Sequence, residues 1–224
     1  MNLRPSGSPR FDSEAEENRK KFFEREGVKP LLSKEDGGQG MICIPDLTHS
    51  SRIAVVREEN CNDHLEADGL VTSEPNLFLV ITVADCFPVY FYDPFCNAIG
   101  LLHVGWRGLI ADIVPSMIQV LKNSFSSNPR ELCLALGPGI QKCHFTVRDD
   151  VIGKFERYQK FIKTRNGDYG VDLEGIIIEQ AREKGVRHIE SSGLCTFCSA
   201  NKYFSYRREK PILKTMLAFI GQGA

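Results

Sequence analysis

The sequence has no apolar stretch long enough to cross a lipid bilayer. The longest strongly apolar run spans only residues 77–84, whereas a transmembrane helix needs about 20 apolar residues. The first residues also lack the order of charged, apolar and small residues that marks a secretory signal. These two absences predict a cytoplasmic protein without a membrane partner.

A strong charge of either sign is absent as well. The chain has 28 lysine and arginine residues against 29 aspartate and glutamate residues, for a formal net charge of −1. Proteins that coat nucleic acid are basic because they neutralise phosphates, so we expect no nucleic-acid partner. The hydrophobic fraction of 42% and the charged fraction of 25% are typical of a globular protein with a core.

Cysteine is abundant for a cytoplasmic protein. Eight cysteines without a secretory signal predict free thiols rather than disulfides. Cys195 and Cys198 form a Cys-x-x-Cys motif, but a zinc ribbon would need a second such pair at suitable spacing, and none exists. We therefore interpret this pair as structural thiols, and we expect His64 and His144 to be exposed to solvent.

The order of strand-like and helix-like segments indicates an α+β fold. Strands and helices do not alternate strictly, and no Gly-x-Gly-x-x-Gly or Walker-type motif occurs, which argues against a doubly wound fold. A single domain over residues 1–224, with a mixed sheet and flanking helices, fits this order. Apolar periodicity predicts strands at residues 52–56, 77–83, 88–92, 98–104, 131–136, 200–206 and 215–220. It predicts helices at residues 13–26, 113–125, 149–161 and 172–184.

A central hairpin brings two metal-binding residue types together. Two apolar strands flank residues 93–97, whose composition is typical of a turn. In an antiparallel hairpin centred on Phe95, Cys86 lies within one residue of being directly opposite His103. Facing side chains have Cβ atoms about 4.5–5.5 Å apart, close enough to share a tetrahedral cation. Thiolate and imidazole are ligands that Zn²⁺ prefers.

The hairpin alone leaves the chemistry open. A third ligand would come from elsewhere in the chain, and the candidates are His49, His64, His144 and His188. A cysteine beside a histidine is also typical of a nucleophile and its general base, without any metal.

Seven short motifs carry a resemblance to a known family. They are His49-Ser50, EADGLVT at 66–72, ADCFP at 84–88, HVGWRG at 103–108, GPGI at 137–140, CTFC at 195–198 and FSYRR at 204–208. In this order the sequence resembles the broad-specificity purine nucleoside phosphorylases formerly described as multicopper polyphenol oxidoreductases, or laccase-domain proteins. The set is highly specific, although no single motif would be.

The resemblance implies a sandwich core and a catalytic zinc bound by His49, Cys86 and His103. It also implies phosphorolysis of adenosine, inosine, guanosine and methylthioadenosine, and deamination of adenosine, with a purine nucleoside and phosphate as small-molecule partners. Zinc with three protein ligands keeps a fourth position for water, whose pKa falls to about 7. Copper is the alternative metal, because it outcompetes zinc at nitrogen and sulfur ligands.

Further residues are candidates for proton transfer and phosphate binding. Asp85, beside the cysteine ligand, and Asp68 are the nearest carboxylates in sequence. We name Asp85 as the candidate for proton transfer, although strand alternation points it away from the face of the cysteine. Arg107, Arg207 and Arg208 are candidates for binding phosphate, because guanidinium groups suit phosphate oxygens.

The chain departs from the family pattern at several positions. Leu47 stands where a glutamine is usual, and Phe145-Thr146 stand where Tyr-Glu is usual. The usual Thr-Gly-Arg is lost within residues 211–216, where Lys214 is the nearest base. Residues 2–4 resemble a segment that usually follows an N-terminal strand, so we expect that strand to be missing. These changes leave the metal ligands intact and bear on substrate choice.

Three other functions stay open. A copper-dependent polyphenol oxidase could use the same three ligands, although laccases of the multicopper fold need His-x-His pairs and this chain has five histidines and no such pair. A metal-free hydrolase could use Cys86 as nucleophile and His103 as base. A closed site with four ligands would instead indicate a structural zinc in a protein without enzymatic activity.

Overall fold

The structure, a computed structural model, describes residues 40–165, 167–212 and 214–222. The helix predicted for residues 13–26 lies outside these residues. The strands are β1 (Met41–Cys43), β2 (Ile53–Val55), β3 (Gly69–Thr72), β4 (Leu77–Val83), β5 (Phe87–Asp93), β6 (Ala98–Val104), β7 (Cys133–Leu136), β8 (Thr146–Val147), β9 (Ile162–Arg165), β10 (Asp168–Val171), β11 (His188–Ser191) and β12 (Met216–Gly221). The helices are α1 (Trp106–Ile110), α2 (Ile113–Phe125), α3 (Asp149–Ile152), α4 (Leu173–Glu183) and α5 (Tyr206–Glu209), and a 3-10 segment spans Gly153–Phe161.

A mixed sheet of six strands, in the order β11-β7-β5-β6-β3-β2, forms the middle of the fold. The pairs β7–β11 and β2–β3 are parallel, and the pairs between them are antiparallel. A sheet of three strands, β1-β4-β12, covers part of one face. A further sheet of three strands has the order β8-β10-β9.

The two faces of β6 pack against different layers, because successive residues of a strand point to opposite sides. Leu102 and Val104 belong to the core shared with helices α2 and α4. Ile99 and Leu101 belong to a second core, shared with strand β4. These layers confirm the predicted α+β class, with a mixed sandwich core and flanking helices. His103 lies on the same side of β6 as Ile99 and Leu101.

Helix α2 covers the central sheet and has the predicted bounds. Ile113, Met117 and Leu121 recur every four residues and are buried, so one helix face packs on the sheet. Pro115 lies in the first turn, where its missing N–H costs no hydrogen bond. Gly100 in β6 makes the close approach possible, since a Cβ there would lie 3.2 Å from the sulfur of Met117.

Two predicted elements were wrong. The helix predicted for residues 149–161 is only α3 followed by the 3-10 segment, in which Phe155 and Tyr158 have non-helical backbone angles. The backbone departs from a helix at these two residues, and both aromatic rings are buried in the core. The strand predicted for residues 200–206 is a loop that leads into α5, because the Ser205 hydroxyl accepts a hydrogen bond from the Arg208 N–H and caps that helix.

Six short strands were not predicted, namely β1, β3, β8, β9, β10 and β11. Each has two to four residues, which is too short for an alternating pattern to stand out. They form because a partner strand from elsewhere in the chain supplies their hydrogen bonds, as β10 does for both β8 and β9. Such pairing leaves little trace in local composition.

Candidate metal centre

The hairpin of β5 and β6 places Cys86 and His103 on one face of the central sheet. Pro88 pairs with His103 and Phe87 with Val104, so Cys86 continues this register one pair beyond the strand end. The predicted register was therefore wrong by one residue. The difference matters because a shift by one residue moves a side chain to the other face of the sheet. The observed register gives both donors the same face.

His49 comes from the loop between β1 and β2. Its φ of 56° is in the left-handed region, which few residues other than glycine adopt. Asp68, just before β3, holds this loop in place. Its Oδ1 accepts a hydrogen bond from the His49 N–H at 2.9 Å, and its Oδ2 accepts one from the Ser50 N–H at 2.7 Å. A strained backbone that its surroundings hold in place is typical of functional sites.

His49, Cys86 and His103, here called the three-donor cluster, meet at the end of the hairpin. One nitrogen of each histidine and the sulfur of Cys86 all lie within 4.8 Å of one another. His103 is buried, Cys86 is half-buried and His49 is exposed, so the cluster opens to solvent on the His49 side. Within the described part of the chain, no further histidine, cysteine or carboxylate joins these donors.

Gly105 allows the donors to approach one another. A Cβ at this position would lie 3.0 Å from the sulfur of Cys86 and 3.4 Å from Cδ2 of His49. The first distance is shorter than a relaxed carbon–sulfur contact, so a side chain at Gly105 would push the two donors apart. This glycine therefore sets the space at the centre of the cluster.

The charges of Cys86 and His103 depend on each other. Burial raises the pKa of the Cys86 thiol, but the charge of His103 and hydrogen bonds from His103 and His49 outweigh burial and lower the pKa to about 6. Burial lowers the pKa of His103, but Cys86 and Asp68 together raise it to about 10. In the metal-free protein at neutral pH the pair is therefore a thiolate beside an imidazolium.

Asp68 is the buried carboxylate behind His103. Its Oδ1 lies 3.0 Å from Nδ1 of His103. Burial raises the pKa of Asp68, but hydrogen bonds from His103 and Ser50, together with the charge of His103, lower it to about 2. A carboxylate that accepts the Nδ1 proton leaves Nε2 of His103 as the nitrogen available to a metal ion.

Asp85, the candidate for proton transfer, lies at the bend between β4 and β5, where its φ is 78°. Its carboxylate is buried. Oδ1 accepts a hydrogen bond from the Thr196 hydroxyl at 2.6 Å, and Oδ2 accepts one from the Arg207 backbone N–H at 2.7 Å. Both oxygens thus tie the segment of Cys86 to the C-terminal part of the chain. Proton transfer by Asp85 stays a prediction.

Arg107 and Arg207 have no carboxylate partner among the ion pairs of the described residues. The guanidinium of Arg107 is exposed and lies 4.6 Å from the centre of the Trp106 ring. Arg207 donates from Nη1 to the backbone oxygens of His144 and Thr146, at 3.2 Å and 3.1 Å. Their positive charges are therefore not neutralised by the described acidic residues.

Arg208 is bound differently. Its Nη1 donates to the backbone oxygens of Thr196 and Phe197, and its Nη2 donates to that of Tyr203. The guanidinium also pairs with Glu209. These contacts hold the loop between Thr196 and Tyr203, so the structure gives Arg208 a role in that loop. Phosphate binding by all three arginines stays a prediction.

The other histidines considered as third ligands lie outside the three-donor cluster. His64 is exposed, as predicted, and lies 2.7 Å from a carboxylate oxygen of Asp46. His188 is exposed in β11. The prediction for His144 was wrong, because its ring is half-buried and stacks on Phe197 with the ring centres 4.0 Å apart. That contact joins distant segments, which the local sequence does not reveal.

Fold and site together define a class of protein: an α+β sandwich that carries a Cys/His cluster suited to a metal ion and open on one side. A sequence model of the family described as multi-copper polyphenol oxidoreductase laccase matches residues 13–222. The chain belongs to this family, as its motifs predicted.

Curated relatives are named purine nucleoside phosphorylases. The chain is 35% identical over 163 residues to YlmD of Geobacillus stearothermophilus, in an alignment that covers 69% of this chain and 60% of that protein. It therefore spans less than two thirds of that relative. It is 34% identical over 197 residues to a protein of Staphylococcus saprophyticus with the same enzyme name, covering 80% of this chain and 72% of that protein.

Solved structures share the fold. The crystal structure of YlmD from Geobacillus stearothermophilus matches with a TM-score of 0.84 at 28% identity, covering 100% of this chain and 84% of that one. The crystal structure of the Bacillus licheniformis hypothetical protein YfiH matches with a TM-score of 0.81 at 33% identity, covering 92% and 80% of the two chains.

Proposed function

We propose that the chain is a zinc-dependent purine nucleoside enzyme. It splits adenosine, inosine, guanosine and methylthioadenosine by phosphorolysis, and it deaminates adenosine. The observation that carries the proposal is the three-donor cluster with its open side, in a chain whose relatives are named purine nucleoside phosphorylases. A purine nucleoside and phosphate are the small-molecule partners.

The donor set fits zinc. A thiolate and two imidazoles are among the ligands that Zn²⁺ binds in a tetrahedron, and three protein ligands leave the fourth position for water or substrate. A zinc-bound histidine is commonly oriented by a carboxylate that accepts its other N–H, and Asp68 is in that position behind His103. When bound, zinc supplies a Lewis acid that lowers the pKa of a water molecule to about 7.

The residues of the chain have distinct tasks in the two reactions. In phosphorolysis a phosphate oxygen forms a bond to C1′ of the ribose while the bond from C1′ to the purine nitrogen breaks, and the purine takes up a proton. Arg207 and Arg107 hold the phosphate, because their charges have no described carboxylate partner. In deamination water replaces the amino group at C6 and ammonia leaves. Asp85 transfers a proton in this step, and Asp68 keeps His103 in position.

The location and domain organisation belong to the same proposal. No helix within the described residues is both long and apolar enough to cross a membrane. We propose a cytoplasmic enzyme whose residues 1–224 belong to a single domain.

Product analysis tests the proposal. The purified protein is incubated with adenosine, with and without phosphate, and the products are separated by chromatography. Free adenine that forms only with phosphate indicates phosphorolysis, and inosine indicates deamination. Cys86→Ala should abolish both products, whereas Cys96→Ala is the matched control, because Cys96 is also half-buried but lies at the far end of the hairpin. No product from an intact, zinc-loaded protein would refute the proposal.

Phosphate binding by Arg207 has its own test. Arg207→Ala should raise the KM for phosphate and leave the KM for adenosine nearly unchanged. Arg187→Ala is the control, because Arg187 is exposed and lies just before β11, on a different part of the sheet. An unchanged KM for phosphate would end this assignment.

A metal-free hydrolase is the second candidate, because one observation favours it. Cys86, His103 and Asp68 have the order of a nucleophile, a base and a group that orients the base. Chelation separates the candidates, since a metal-free hydrolase would keep its activity and a zinc enzyme would lose it. The copper-dependent polyphenol oxidase is tested by replacing the chelated metal with copper. Activity on phenols should then appear with copper and not with zinc.

A further inference from the structure

A second group of metal-binding side chains lies outside the three-donor cluster. Cys143 and His144 follow the Gly137-Pro138-Gly139 turn, and Cys195 and Cys198 form the Cys-x-x-Cys motif. One donor atom from each of these four residues lies within 4.8 Å of every other. We propose that this four-donor cluster is a structural zinc site. The inference does not depend on the proposed enzymatic activity.

The distances between the donor atoms fit one tetrahedral ion. With zinc–sulfur bonds of about 2.3 Å and zinc–nitrogen bonds of about 2.0–2.1 Å, tetrahedral angles place two sulfurs roughly 3.8 Å apart and a sulfur and a nitrogen roughly 3.6 Å apart. The sulfur of Cys143 lies 3.6 Å from that of Cys195 and 3.7 Å from that of Cys198. Nδ1 of His144 lies 3.2, 4.0 and 3.3 Å from the sulfurs of Cys143, Cys195 and Cys198.

The surrounding residues hold these donors in place. The Gln141 backbone N–H points at the sulfur of Cys195, at 3.5 Å, as amides commonly do towards metal-bound thiolates. The ring of His144 stacks on Phe197 within 15° of parallel. Nη1 of Arg208 donates to the backbone oxygen of Phe197 at 2.7 Å, which fixes the loop between the two cysteines. These contacts hold the four donor atoms close to the positions that one tetrahedral ion requires.

The composition of the cluster indicates a structural rather than a catalytic ion. Three cysteines and one histidine fill all four positions of a tetrahedral zinc site, so no position stays open for substrate. The three-donor cluster differs in just this respect. Cys195 is buried, His144 is half-buried, and Cys143 and Cys198 are exposed, so the site lies at the surface, where an ion can enter.

A zinc ion at the four-donor cluster would also stabilise the position of the segment that carries Cys86. Thr196 lies between the two cysteines of the motif, and its hydroxyl donates to Asp85, which directly precedes Cys86. The backbone N–H of Ile140 donates to the backbone oxygen of Asp85 at 2.8 Å. Segments from both halves of the four-donor cluster therefore contact the residue beside the Cys86 ligand.

Metal analysis of the full chain, produced with zinc, tests the inference. We expect about two zinc ions per chain, one per cluster. The double variant Cys143→Ser and Cys198→Ser should lose one ion, and Cys86→Ala should lose the other. Cys133→Ser is the matched control, because Cys133 is exposed but lies in β7, outside both clusters, and it should keep both ions.

The outcomes separate the two sites. A zinc ion that Cys86→Ala keeps and the double variant loses supports the structural site, even if the three-donor cluster holds no metal. A protein whose only zinc is lost in Cys86→Ala and kept in the double variant overturns the inference. The same holds if mass spectrometry finds a disulfide between Cys195 and Cys198 in the zinc-loaded protein.

Alkylation of the unmodified protein gives a readout that does not depend on the folding of a variant. In the zinc-loaded protein, exposed Cys143 and Cys198 should resist alkylation while exposed Cys133 reacts, because thiolates bound to zinc react slowly. Removal of the metal by a chelator should increase the rates at which Cys143 and Cys198 react. Equal labelling of all three before chelation would overturn the inference.

Discussion

Replacing Asp68 by asparagine would remove one negative charge from behind the three-donor cluster with almost no change in shape. The Oδ2 oxygen of Asp68 accepts hydrogen bonds from the backbone and hydroxyl groups of Thr48 and Ser50. Its Oδ1 accepts bonds from the His49 N–H and from His103. Whichever way an amide is turned, its NH₂ group faces a backbone N–H that cannot accept a hydrogen bond.

These contacts determine how much stability and how much zinc affinity Asp68→Asn should lose. At least two hydrogen bonds to an ionised group are lost, each worth about 1.5–3 kcal/mol, so the free energy of unfolding of the metal-free protein should fall by about 3 kcal/mol or more. Loss of the carboxylate that orients a zinc-bound histidine weakens metal binding about 10–100-fold. We therefore expect Asp68→Asn to bind zinc at the three-donor cluster at least about 10-fold more weakly.

Competition with a chromophoric chelator measures the zinc affinity, and urea unfolding of the metal-free protein measures the stability. The difference in bound zinc between the unmodified protein and Cys86→Ala gives the contribution of the three-donor cluster. Asp93→Asn is the matched control, because Asp93 is also buried and accepts backbone hydrogen bonds, but at the far end of the hairpin. It should lose stability and keep its zinc affinity.

The reasoning is refuted by one pattern of results. If Asp68→Asn loses as much stability as Asp93→Asn and binds zinc as tightly as the unmodified protein, Asp68 only braces the loop. The orientation of His103 would then not depend on the carboxylate.

Three further predictions concern neighbouring residues. Gly105→Ala should weaken zinc binding at least about 10-fold, because its Cβ would press on Cys86 and His49, which chelator competition measures. In the metal-free protein, the alkylation rate of Cys86 should rise with a midpoint near pH 6, because its folded-state pKa is about 6 and its ordinary pKa is 9.0. Since that pKa is depressed, the stability it contributes is fully present above pH 9 and is lost as the pH falls through 6. Thr196→Val should lower the free energy of unfolding by about 1.5–3 kcal/mol in urea, because the buried carboxylate of Asp85 loses a hydrogen bond.

Each of these predictions has a control. Gly153→Ala should leave zinc affinity unchanged, since no atom lies within 4 Å of its added Cβ. The alkylation of Cys86 is obtained as the difference between the unmodified protein and Cys86→Ser. If its rate rises with a midpoint near the ordinary thiol pKa, the coupling to His103 is contradicted. Equal unfolding curves for Thr196→Val and the unmodified protein would show that the contact with Asp85 adds no stability.

The central hairpin and the core helix could be predicted because their signals are local. The observed bounds of β4, β6 and α2 agree with the apolar runs at residues 77–83, 98–104 and 113–125. The closeness of Cys86 and His103 follows from one turn. The exact register did not, because it depends on how residues 93–97 fold rather than on where their midpoint lies.

The four-donor cluster could not be predicted in the same way. Its two halves meet through long-range contacts, such as the bridge between Gly139 and Cys195, which leave no periodic pattern. Cys143 and His144 are adjacent in the sequence, and this spacing differs from the second Cys-x-x-Cys pair that a zinc ribbon requires. The contact of Asp68 with His103 could not be predicted either, because it depends on how the loop of His49 folds against Asp68.

The β5–β6 hairpin brings Cys86 and His103 together, and the pairing of β3 with β6 brings the loop of His49 to them. Asp68, which holds the loop of His49, directly precedes β3, and its backbone oxygen accepts the His103 N–H at 2.8 Å. An unfolded chain offers no such constellation, so an ion bound there favours the native state alone. By linkage, each tenfold rise in free metal above the dissociation constant adds about 1.4 kcal/mol to the free energy of unfolding. The supply of metal in its surroundings would therefore contribute to the equilibrium stability of the folded chain, alongside its hydrophobic core.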